Sequence, residues 1–81
     1  MQHDKLVREI KKAGYEVIRT PYSKNHYFVT SDDRMVSWWE EEGEACGVTS
    51  RKRGEKTEGL VTYTNGTVCE TVEQTVNSLS K

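Results

Sequence analysis

Residues 26–39 read HYFVTSDDRMVSWW. Two runs of β-forming residues, His26–Thr30 and Met35–Trp39, flank Ser31-Asp32-Asp33-Arg34. Ser and Asp side chains bond their own backbone in tight turns, so the stretch reads as strand, turn, strand. It decides for an antiparallel sheet. Its end raises a second point. Trp38 and Trp39 are adjacent, and successive side chains on a strand leave by opposite faces. One Trp therefore belongs to a core. The other lies on the far face, close to Glu40, Glu41 and Glu42. A Trp left outward offers large contact area and an N–H donor, the usual ingredients of an interface hot spot.

Toward the N-terminus, YEVIRT (15–20) is a further strand, joined to His26 through the loop Pro21-Tyr22-Ser23-Lys24-Asn25. Before it, DKLVREIKKA (4–13) places Leu6, Ile10 and Ala13 at i, i+4 and i+7, with Val7 widening the stripe. That period is helical. Asp4 is the expected N-cap, Gly14 the residue just past the helix end, and Lys11 and Lys12 occupy the last turn, where cations are favoured.

Toward the C-terminus, EEEGEACGVTS (40–50) reads as a loop entering a short strand at 45–49. SRKRGEKTEG (50–59) is polar, charged and broken by glycine, and reads as an exposed, mobile loop or hairpin tip. LVTYT (60–64) is a strand. The last segment supports two readings. Asn65-Gly66 is a hairpin signal. Yet Val68, Val72, Val76 and Leu79 recur with helical spacing, and Thr67 with Glu70 fits a capping box ahead of them. Strand alternation stops at Val72 while the helical stripe continues, so a helix is expected over 67–80.

The elements add up to an α+β domain: an N-terminal helix, an antiparallel β-meander of three to five strands and a C-terminal helix, with both helices on one face of the sheet. The 81 residues suffice for one domain, spanning 1–81. With 33% hydrophobic and 31% charged residues, its core must be lean and built around Trp, Tyr and Val.

The net charge of −1 argues against general nucleic-acid binding, which calls for a basic excess. The charges are blocked, however. Residues 1–30 carry +3, 31–48 carry −5, 49–58 carry +2 and 59–81 carry −1. The acidic block could present itself to a basic protein partner, since opposed charge steers and selects partners. Arg51-Lys52-Arg53 and Lys56 form a basic tip that could touch phosphate, with weak and salt-sensitive binding.

Cys46 and Cys69 share no CxxC spacing, and the N-terminal MQHDKLVREI has no apolar signal region. A cytoplasmic protein with free thiols is expected, and no run is apolar enough for a membrane span. Asn65-Gly66-Thr67 matches a glycosylation sequon, which without secretion is a turn. Glu40–Glu42, Glu44, Asp32 and Asp33 lack the spacing of a calcium loop, and His3, His26, Cys46 and Cys69 lack that of a zinc site. No metal or cofactor is expected. There is no phosphate-binding glycine loop, GxSxG or HExxH. His26, at the mouth of the YSKN loop, is the one candidate acid–base residue, with Ser23, Lys24 or Tyr22 as neighbours.

KLVREIKKAGYEVIR followed by SKNHYFV resembles the start of the HicA toxin family. The helix, the turn Lys12-Ala13-Gly14-Tyr15 and the strand ending in Arg19 carry the likeness, and Gly66-Thr67-Val68 matches the opening of that family's second helix. The resemblance covers about a third of the chain. It implies a double-stranded-RNA-binding-like fold and an RNA-acting domain using His26, Lys24, Arg51, Lys52 and Arg53. The family's Gly-Ser-His motif aligns with Ser23-Lys24-Asn25, which leaves His26 one place late, and residues 40–60 are additional.

Without a catalytic set, the leading expectation is a non-enzymatic regulator or inhibitor. It would dock a protein partner through Trp38 or Trp39 with Glu40, Glu41 and Glu42. In size and in lacking catalytic motifs it is similar to many phage-encoded small proteins that disable host machinery. The alternatives are the HicA-like RNA-acting domain and a nucleic-acid-binding module without catalysis.

Overall fold

The computed structural model describes residues 1–21, 23–64 and 66–80. Helix α1 (His3–Lys12) is followed by β1 (Ile18–Arg19), β2 (His26–Thr30), β3 (Arg34–Glu41), β4 (Glu44–Thr57), β5 (Leu60–Tyr63), β6 (Thr67–Val68) and helix α2 (Val72–Leu79). All strand pairings are antiparallel, in the order β1-β2-β3-β4-β5, with β6 also on β4. Leu6, Ile10 and Leu79 from the helices meet Val29, Val36, Trp38, Ala45 and Val48 from the sheet in a single core. Both helices therefore cover the same face, and the α+β architecture is the one the sequence implies.

The N-cap of helix α1 lies two residues earlier than expected. Gln2 is the N-cap, with no side-chain cap bond, and Asp4 lies inside the first turn, where its charge faces the positive end of the helix dipole. The C-terminus closes as a Schellman motif: the Tyr15 N–H bonds the Ile10 carbonyl and the Gly14 N–H bonds that of Lys11.

The hairpin β2–β3 forms as read, with Tyr27 opposite Trp38 and His26 opposite Trp39. The strand expected at 15–20 shrinks to Ile18–Arg19. Tyr15 is diverted to the helices, where its hydroxyl donates to the Leu79 carbonyl at 3.0 Å, one of the acceptors the end of α2 leaves open.

Residues 40–59 depart most from expectation. In place of a loop at 40–44, β3 and β4 meet at a two-residue turn, Glu42-Gly43, both at positive φ (50° and 84°). The Glu58-Gly59 turn between β4 and β5 repeats it (52° and 82°). These are signs of type I′ hairpin turns, whose twist matches the flanking strands. The stretch expected as a loop at 50–59 is strand through Thr57, and it is exposed along most of its length. Its outer part, with β5, runs on as a two-stranded arm held by ladder bonds.

The helix expected over 67–80 begins only at Val72. Thr67 and Val68 instead pair with Ser50 and Thr49 of β4, and Val68 is left 66% exposed. The working cap is Thr71, whose hydroxyl accepts from the Gln74 N–H, while the Gln74 side chain accepts from the Glu70 N–H at 2.8 Å. Thr75 fills a core position, and its hydroxyl is satisfied by the Thr71 carbonyl at 2.9 Å. β5 and β6 each pair with β4, and among the described residues they do not pair with one another. Asn65, with its sequon, and Tyr22 lie outside the described residues.

Candidate functional site

Strand alternation sorts the two tryptophans. Trp38 is 1% exposed on the helix side. Its indole N–H donates to His3 Nδ1 at 3.0 Å, and Tyr27 stacks on it with ring centres 6.0 Å apart. Because Nδ1 accepts, the His3 ring takes its Nε2–H tautomer. Trp38 thus offers nothing to a partner, although the sequence alone could not exclude it. Trp39 is the outward one, 43% exposed on the face that no helix covers.

The outward ring is held in place by a bulge. Ser37 pairs with Thr49 and Trp39 with Cys46, so Trp38 stands opposite two residues, Gly47 and Val48. Gly47 takes φ +61°, as a G1 bulge requires. The six-membered ring of Trp39 lies against Gly47 where a Cβ would otherwise project. On its other flank His26, the cross-strand partner, tilts toward it at a ring separation of 6.1 Å.

Around Trp39 the open face is mostly uncharged. One row across the sheet runs Ile18, Phe28, Ser37, Thr49 and Val68, and the rows to either side are His26, Trp39, Cys46 and Thr30, Met35, Arg51. Charge gathers at the ends of the strands. Glu41 and Glu44 form a cross-strand pair beyond Trp39, and Arg51 and Arg53 stand at the opposite end. Glu40 pairs with buried Ala45 and so turns to the helix side, while Glu42 sits in the turn. Of the expected acidic set, only Glu41 shares the face of Trp39; Glu44, its partner on β4, has its carboxylate 3.3 Å from the Met1 amino group.

The residues proposed for RNA do not converge. Lys24 and His26 lie at the Trp39 end, whereas Met35 and Arg51 mark the other, four residues or about 13 Å along the strands. Lys52 pairs with Arg34 and points away from Arg51 and Arg53. One expected neighbour of His26 is in place: Ser23 Oγ is 2.8 Å from His26 Nδ1, in an exposed position. Cys46 and Cys69 are both free. Among the described residues, no three His, Cys, Asp or Glu side chains are grouped as metal ligands would be, and no helix is long and apolar enough to cross a membrane.

Phe28, Ile18 and Gly47 were absent from the sequence-derived site. Phe28 was legible, since it alternates with His26 in a strand the sequence identifies. Gly47 had a weaker signal, an isolated glycine in a strand, which often marks a bulge. No protein-family model matches the chain, and neither does any curated protein or solved structure.

Proposed function

We propose that this chain is a small non-enzymatic binding protein of the cytoplasm, a regulator or inhibitor, that docks a protein partner on the open face of its sheet. One observation carries the reading: an outward Trp39, braced against Gly47 and His26 on an uncovered, mostly uncharged surface. A ring already held in one orientation loses little freedom on binding. Apolar groups at the centre with charges toward the rim is the usual anatomy of a protein interface. The Glu41 carboxylate beside Trp39 favours a partner that presents a basic group there, since Glu44 across the strand is already paired with the Met1 amino group at 3.3 Å.

The test is a comparison of variants against a captured partner, once it is purified and reconstituted. Trp39→Ala should weaken binding by about 2 kcal/mol or more, as loss of a hot spot does, with the fold intact by circular dichroism. Lys5→Ala, on the helix side, should bind as the parent does. Equal binding by parent and Trp39→Ala would sink the proposal.

A second reading has the Ser23–His26 contact in its favour. In it the chain is an RNA-acting domain of the HicA kind, with His26 moving a proton. RNA cleavage by the purified chain, abolished in His26→Ala, would support it over docking.

A further inference from the structure

On the helix side of the sheet, away from Trp39, a cavity of about 360 Å³ opens between α2 and the β4–β6 pair. Its wall includes Arg34, Ser50, Thr67, Gln74, Asn77 and Ser78. Two features of this wall call for a ligand. Ser50 is 2% exposed, yet its hydroxyl has no hydrogen-bond partner among the described residues. Buried hydroxyls are nearly always bonded, because an orphan forfeits its hydration without return. Arg34 is the one charged side chain among the described residues that line the cavity, and none of them supplies a carboxylate to it.

The remaining polar groups include donors for a ligand. Gln74 spends its side-chain carbonyl on the Glu70 N–H, which leaves its NH2 to donate. The Asn77 side chain has no partner among the described residues, and Thr67 stands directly across the β4–β6 ladder from Ser50. Ser78 is already committed, donating to the Thr75 carbonyl at 2.8 Å. Helix periodicity brings Gln74, Asn77 and Ser78 to one side of α2, so a polar stripe faces the cavity, opposite a guanidinium and an orphan hydroxyl.

We infer that this cavity binds a small oxyanion, a carboxylate or phosphate group seated on Arg34 and Ser50 with the Asn77 and Gln74 amides closing around it. A guanidinium fork matches either group in geometry, and charge-assisted bonds are the strong ones. The volume suits a small molecule. The site is separate from the Trp39 face and stands or falls independently of it.

The experiment is a titration of the full chain with sodium phosphate, and separately with sodium acetate, at ionic strength held constant with sodium chloride. Backbone amide shifts and thermal unfolding are followed together. A saturable response centred on Ser50, Thr67, Gln74 and Asn77, with a rise in Tm, is expected. Saturation by phosphate alone assigns a phosphate ligand, and by acetate alone a carboxylate. Arg34→Met should weaken the response about tenfold or more, the worth of a charge-assisted bond. Asn77→Asp, an exposed substitution that sets a carboxylate in the wall, should do the same without disturbing the fold. Ser50→Ala should leave the free protein as stable or more so, while cutting the stabilisation given by the anion. Shifts that follow ionic strength alone, or a saturable response unchanged in Arg34→Met and Asn77→Asp, would overturn the inference.

Discussion

Gly47→Ala perturbs the bulge that holds Trp39, and its effect separates into two parts. The first is backbone strain. At φ +61° an alanine is in the left-handed region, at a cost of about 1–2 kcal/mol. The second is steric, because the new Cβ would collide with the six-membered ring of Trp39. Gly43 supplies the control. It has φ +84° with nothing within 4 Å of an added Cβ, so Gly43→Ala reports strain without collision. Each kcal/mol lowers Tm by roughly 4–8 °C in a domain of this size. Gly43→Ala should therefore fall by about that to twice that, and Gly47→Ala further still. The collision term has its own test. In a Trp39→Ala background the ring is gone, and Gly47→Ala should then cost no more than Gly43→Ala. Chemical denaturation of the four-member cycle measures the coupling between positions 39 and 47. Zero coupling, or equal costs for Gly47→Ala and Gly43→Ala, would refute the claim that Gly47 braces the outward tryptophan.

Three further outcomes follow from the geometry. His3→Ala strands the buried indole N–H of Trp38 and should destabilise by about 1–3 kcal/mol, with a changed near-ultraviolet circular dichroism signal from Trp38. Glu42→Asn and Glu58→Asn place the residue type favoured for type I′ turns at positions now held by glutamate at positive φ, and each should raise stability by about 0.5–1 kcal/mol in urea titrations. Thr71→Ala should cost about 1 kcal/mol as a lost N-cap, whereas Thr67→Ala should stay within about 0.5 kcal/mol; the reverse order would restore the longer helix.

The site shows how far strand periodicity carries. Placing one tryptophan in the core and one outside needs only alternation along β3, and that was legible. Which was which depended on the side the helices occupy, a matter of packing. The carboxylates divide by the same alternation, with Glu41 outward and Glu40 toward the helices, once the strand is known to continue to Glu41. The sequence hid that continuation because Glu-Gly is a rarer turn signal than Asn-Gly or Asp-Gly.

Local chemistry therefore determined α1 with its Gly14 terminus, the β2–β3 hairpin and the α+β class, each through a periodicity or a turn that acts within a few residues. Tertiary structure decided what lay beyond that range. The outer end of β4, past Lys52, has no helix to face and so no apolar alternation to display; pairing with β5 makes it a strand. Thr67 and Val68 carry a helical spacing by coincidence, and the free edge of β4 claims them instead, because unpaired backbone groups at that edge gain more from a ladder than exposed Val68 gains from a helix. The cavity beside Arg34 and Ser50 joins β3, β4, β6 and α2, residues as far as 44 positions apart in the chain, and only the packing of α2 on the sheet could bring them together.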